Sequence, residues 1–137
     1  MKNATFANKT KARIEALPDV AETFRGQINV DLAKTVLKAN VSPGSLSNIL
    51  GVTRASVHGW LNGKRIGRSN AVDVLLLTMA FKEDLAKGIL PKTSKEARQS
   101  YESFFSSSDF FEKTLTEKMD ILKISNPELE RWLLGKD

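Results

Sequence analysis

Apolar positions along this chain recur at helical spacing. Leu32, Ala33, Val36 and Leu37 fall at i, i+1, i+4 and i+5, which places them on one face of a helix. Asn29 reads as the cap of that helix, and Asn40 with Ser42-Pro43 as its stop. A short helix is expected over 44–50, a turn at Gly51 to Thr53, and a second short helix over 54–61. Asn62-Gly63 closes the second one, because both residues tolerate left-handed backbone. Ser69 reads as the cap of a longer helix over 70–87, with Gly88 and Pro91 marking its end. Its 71–81 portion is apolar nearly all round, which predicts a central, buried helix. Thr93-Ser94-Lys95-Glu96 reads as a capping box opening a helix that runs to about residue 105. Asp109 with Glu112 repeats the arrangement before a helix to about residue 123, and Asn126-Pro127 starts a last short one. Upstream, 10–17 and 19–25 read as two short helices broken at Pro18, the second ended by Gly26. No segment alternates with period two, so the fold class expected is all-α.

Composition narrows the chemistry. At 137 residues the chain fits one domain, or a small domain with an appendage. Cysteine is absent and His58 is the single histidine, which excludes disulfide scaffolds, thiol nucleophiles, cysteine zinc sites and multi-histidine metal sites. The run from Ala71 to Phe81 contains Asp73 and falls short of the ~18–20 residues of a membrane span. The amino end has no apolar signal-peptide core, so a cytoplasmic protein with no membrane partner is expected. Net charge is +5, unevenly placed: residues 1–70 hold 11 Lys+Arg against 4 Asp+Glu, and residues 71–137 hold 10 against 12. A basic front suggests a polyanionic partner. No basic face accompanies a long apolar face near the amino end, which favours nucleic acid over an anionic membrane.

The informative stretch is 42–65, SPGSLSNILGVTRASVHGWLNGKR. It holds two short helices about a Gly51 turn, with Leu46, Ile49, Leu50, Val52, Val57 and Trp60 as inward positions locking them at a fixed angle. Such a pair can stand its second helix in a DNA major groove while the first lies across the phosphate backbone. Leu46, Leu50-Gly51-Val52-Thr53, Val57, Trp60 and Asn62-Gly63-Lys64 resemble the phage repressor and Cro-type helix-turn-helix proteins, the Xre family. The resemblance implies a lambda-repressor-like core over residues 28–90, preceded by a basic segment over 1–27 and followed by a helical carboxyl-terminal extension over 91–137. Two positions depart from the family pattern: Pro43 stands where a glutamine is usual, and Ser47 where a small alanine is usual.

The resemblance assigns base reading to Arg54, Ala55, His58 and Gly59, and backbone contact to Thr53, Ser56, Asn62, Lys64, Arg65 and Arg68. Arg54 is the main reader, since its guanidinium fork can engage guanine O6 and N7 for about 1–3 kcal/mol of discrimination. Ala55 can meet only a thymine methyl, and Thr53 and Ser56 are short hydroxyls suited to phosphate. Gly59 costs roughly 1 kcal/mol in a helix, a cost set against close backbone approach to DNA or to a neighbouring element. Arg54 and Lys64 also admit the plainer reading of solvated charges, and His58 that of a residue on the helix surface. Trp60 is expected in the core. Lys2, Lys9, Lys11 and Arg13 read either as a groove-binding arm or as a solvated tail.

In the last third, Tyr101, Phe104, Phe105, Phe110, Phe111 and Trp132 supply more aromatic surface than a 60-residue core needs. They read as a subdomain packed on the first domain, or as a homodimer or partner surface. The resulting expectation is a sequence-specific double-stranded DNA-binding transcription regulator, a repressor that binds a palindromic operator as a dimer. The alternative is an antitoxin whose carboxyl-terminal helices neutralise a partner toxin. An enzyme is not expected, and neither is a cofactor. Gly88 to Thr93 lacks the second glycine of a phosphate-binding loop, Ser56 and His58 point to different faces of one helix, and Glu128 and Glu130 diverge likewise.

Overall fold

The computed structural model describes residues 6–107, 109, 111, 112, 117 and 120, and among these every regular element is helical. In chain order they are α1 (Asn8–Ala16), α2 (Phe24–Ala39), α3 (Pro43–Leu50), α4 (Arg54–Leu61), α5 (Arg68–Ala86) and α6 (Lys95–Ser107). Of the helix expected from Asp109 to about residue 123, residues 117 and 120 are described and are helical, and the last short helix expected from Asn126-Pro127 lies outside the described residues.

Local chemistry explains most boundaries. Ser42 accepts from Ser45 N, and Pro43 occupies the first turn of α3, where a missing N–H costs nothing. Gly51 ends α3 at φ 70, a left-handed conformation in which its amide reaches Ser47 O. Thr53 caps α4 by accepting from Ser56 N. Asn40 closes α2 at φ 58, and Val41 N reaches back to Val36 O. Gly88 leaves α5 at φ 78, as expected for a helix stop there.

Several caps differ from those expected. Helix α2 begins at Phe24, not near Asn29, because Thr23 accepts from Gly26 N. Gly26 therefore lies in the first turn of that helix and does not end an earlier one. Residues 19–25 form no separate helix; of the two short upstream helices only the first, α1, is present. Gly67, without a side-chain hydrogen bond, precedes α5 in the place expected of Ser69. Ser94, not Thr93, accepts from the Ala97 amide at the start of α6.

One hydrophobic cluster runs from Phe6 to Phe105 and draws on all six helices. Helices α2 and α5 form its spine. Leu32, Val36, Val74, Leu76, Leu77 and Phe81 are fully buried or nearly so, each contributing about 1.5–3 kcal/mol relative to exposure. The apolar run of 71–81 is thus the central helix expected, although Met79 reaches the surface. Helix α6 closes over α3 and α5. Its Tyr101 and Phe105 rings pack on Phe81 with centroids 5.9 and 5.8 Å away, the second edge-on. Phe6 and Ile14 from the front of the chain and Phe105 from α6 belong to the same core as the middle of the chain. No helix among the described residues is long and apolar enough to cross a membrane.

Candidate nucleic-acid interface

Helices α3 and α4 are joined through Gly51, Val52 and Thr53 and pack directly on each other. Leu46, Ile49, Val57 and Trp60 are buried between them and the spine, while Leu50 and Val52 are half-buried at the edge of the same cluster. Ser47, the departure from the expected alanine, is buried as well. Its Oγ donates to Gly44 O at 2.9 Å, so the extra polar atom is satisfied within the helix.

Burial on one side of α4 leaves the other side open. Thr53, Arg54, Ala55 and His58 are exposed, as are Asn62, Lys64, Arg65 and Arg68 beyond the helix, whereas Ser56 and Gly59 are half-buried. The residues expected to face a polyanion therefore lie on α4 and its cap, in the turn after it and at the start of α5, and Trp60 lies in the core. Thr53 and Ser56 are partly engaged with each other. Thr53 Oγ1 accepts from the Ser56 amide and donates to Ser56 Oγ, which leaves the Ser56 hydroxyl proton to donate outward.

Two features were not read from the sequence, and a third decides between two readings that it left open. The first is Asn29. It is buried in α2, and its Nδ2 donates to Trp60 O and to Lys64 O, each at 2.9 Å. One side chain thus fixes both the carboxyl end of α4 and the start of the basic segment Lys64-Arg65. Its position was legible, because 29, 32, 33 and 36 share one helical face, but asparagine before an apolar run also has the signature of a cap.

The second is the pair Gly44 and Arg54. A Cβ built on Gly44 would fall 2.7 Å from Arg54 Nη2 and 3.2 Å from its Cζ. The guanidinium therefore lies against the first turn of α3, held back from the outward axis of α4. The third concerns Gly59, where a Cβ would come within 3.1 Å of Lys64 Cδ. The close approach that this glycine permits is made by the chain itself: Lys64 N donates to Gly59 O at 2.8 Å and its aliphatic stem crosses the helix.

Phe6, Thr10, Pro43, Arg54 and His58 line a shallow hollow of about 260 Å³, so the start of α1 sits beside the exposed side of α4. Lys9, Lys11 and Arg13 are exposed on α1, and Lys2 lies outside the described residues.

Of the aromatics expected at a dimer or partner surface, Phe105 is internal core at 5% exposure, because it wedges between Phe81, Tyr101 and Phe104. Tyr101 is half-buried and donates to Asp84, and Phe111 packs partly buried on the core. Burial above all, with the Asp84 carboxylate adding to it, pushes the Tyr101 phenol far above its ordinary range. Phe104 alone of those described faces outward, at 64% exposure. Phe110 and Trp132 lie outside the described residues. No group of three or more His, Asp or Glu side chains able to hold a metal ion occurs among the described residues. Comparison of the chain with family models, with curated proteins and with solved structures finds no match.

Proposed function

We propose that this protein is a sequence-specific double-stranded DNA-binding transcription regulator of the repressor and Cro type, which presents α4 to the major groove and works as a homodimer. The observation that carries the reading is the two-sidedness of α4. Its inner side is anchored by Val57, Trp60 and the Asn29 hydrogen bonds, and its outer side offers Arg54, Ala55 and His58 beside the exposed cations Lys64, Arg65 and Arg68. A rigidly mounted helix with a polar, basic outer side is what groove reading requires. His58 meets base edges directly, and Arg54 does so when its guanidinium swings off the first turn of α3. Lys64, Arg65, Arg68, Asn62 and Ser56 take phosphate oxygens. Repression by occupying a promoter follows from the family resemblance, and dimerisation from the economy of reading two half-sites.

Phe104 favours a second reading, an antitoxin that binds a partner protein through α6, since a phenylalanine this exposed is a ready contact for another chain.

The experiment is selection of bound sites from random duplex DNA at near-physiological salt, for wild type, Arg54→Ala and Lys64→Ala. A two-fold-symmetric site is expected, with one position relaxed by Arg54→Ala. Lys64→Ala should weaken binding to all sequences alike and lower the salt slope by about one. Equal affinity for every duplex would overturn the regulator reading and leave the protein-partner reading in front.

A further inference from the structure

Helices α3 and α6 enclose a cleft of about 570 Å³ that the reading of α4 does not use. Its floor is apolar, built from Val41, Ile49 and Leu90. Its walls carry four cations from three parts of the chain: Arg54 on α4, Lys92 in the loop before α6, and Lys95 and Arg98 on α6. Against these stands one carboxylate, Glu102, whose Oε2 already accepts from Ser45 Oγ. None of the four cations pairs with a carboxylate among the described residues. Lys92 Nζ lies 5.5 Å from the centroid of the Tyr101 ring, and Arg98 donates to Thr93 O. The amino end of α3, at Ser42, Gly44 and Ser45, opens into the same space and adds the positive end of a helix dipole.

We propose that this cleft binds a small organic phosphate, its anionic group held by Arg54, Lys92, Lys95 and Arg98 and its apolar part resting on Val41, Ile49 and Leu90. Three considerations select this class of ligand. A surplus of positive charge facing one concavity suits a group of charge near −2. The volume falls within the roughly 300–1,000 Å³ of small-molecule sites. An apolar floor below a charged rim orients a ligand that has one end of each kind, which a bare DNA backbone does not.

The occupant also controls the interface. Gly44 leaves room for the Arg54 guanidinium on the cleft side, where it already rests, so an anion bound there holds the fork in place and keeps it from base edges. The ligand is therefore an inducer that lowers affinity for DNA. This regulatory consequence rests on the DNA-binding reading, whereas ligand binding itself does not.

Titration calorimetry with inorganic pyrophosphate on the full chain tests the site. Saturable one-site binding with Kd below about 1 mM is expected. It should weaken about tenfold or more in Lys95→Ala/Arg98→Ala and stay unchanged in Lys64→Ala/Arg65→Ala. Lys92→Ala, which leaves the Arg98–Thr93 hydrogen bond intact, serves if the double variant unfolds. In anisotropy measurements on a selected duplex, pyrophosphate should weaken DNA binding by the wild type and leave that of the cleft variant unmoved. Binding of pyrophosphate with no selected duplex would keep the site and remove the DNA reading. Absence of saturable binding, or equal loss in both double variants, would overturn the proposal. So would loss of duplex affinity in the cleft variant when wild type does not bind pyrophosphate, because the cations would then belong to the DNA backbone.

Discussion

Replacing Asn29 with alanine removes the two hydrogen bonds that tie α2 to the far end of α4. Trp60 O also accepts from Gly63 N at 3.0 Å, so it keeps one partner in the variant. Lys64 O sits in a partly buried setting where water can reach it. The cost is therefore the net worth of two hydrogen bonds, about 1 kcal/mol each, plus a small penalty for the weakened carbonyls, for a total of about 2–3 kcal/mol. For a chain of this size that lowers Tm by roughly 6–12 °C. Urea denaturation checks it, with a lower midpoint and an unchanged slope. Asn29→Asp sharpens the test, since it puts one acceptor oxygen in the place of the Nδ2 that donates to both carbonyl oxygens. Burial raises the pKa of the new carboxyl in the folded state, so its neutral form is the tolerated one. The variant should approach the alanine variant in acid and fall below it as pH rises through the raised pKa. A loss below about 0.5 kcal/mol for Asn29→Ala would refute the argument, because the two carbonyls would then be satisfied without the side chain. In DNA binding the same variant should lose affinity across all sequences, since it loosens the mount of α4 and touches no base.

Gly59→Ala should stabilise the fold by about 0.5–1 kcal/mol, because only the movable stem of Lys64 opposes the new methyl, while phosphate contact through Lys64 weakens; thermal melts and the salt slope of DNA binding read the two effects. Gly44→Ala should leave stability nearly unchanged and, on the proposed function, alter the selected site at the position assigned to Arg54, because the displaced group is the far end of a flexible side chain. Tyr101 is the single tyrosine, so the near-ultraviolet absorbance of phenolate reports it alone. The folded protein should show no ionisation near the ordinary pKa of 10.0, and its raised folded-state pKa makes stability fall as pH climbs above that value. Tyr101→Phe should cost about 1 kcal/mol by deleting the hydrogen bond to Asp84 and should remove that alkaline dependence, as urea midpoints at neutral and high pH would reveal.

Elements governed by short-range rules were legible in the sequence. The spans of α3 and α4 were read to within a residue from the Gly51 turn and the Asn62-Gly63 stop, while the capping roles of Ser42 and Thr53, read as a helix stop and a phosphate contact, emerge from the structure. The misread positions are those where tertiary contact outweighed a local signature. Asn29 carries the signature of a cap and serves as an internal strut. Ser69 carries the same signature and lies inside α5, two residues after Gly67, from which the helix starts and brings Ala71 and Val72 into the core. Phe104 and Phe105 are adjacent and chemically identical, so only the rotation of α6 on Phe81 decides that one is core and the other surface. The four-cation cleft was hidden for a related reason: Arg54 and Lys95 are distant in sequence and meet only when α6 folds back over α3.

That fold-back has a consequence for how the chain can be taken apart. Pro91, Thr93 and Ser94 are exposed between α5 and α6, whereas Phe81, Tyr101 and Phe105 on either side form one aromatic nest, joined across the chain by the Tyr101–Asp84 and Ser45–Glu102 hydrogen bonds. A single protease nick in this loop would sever the peptide without separating the pieces. The two fragments, mixed after separate preparation, should reassemble as complementary halves, and the mounting of α4 would return only when the second fragment docks.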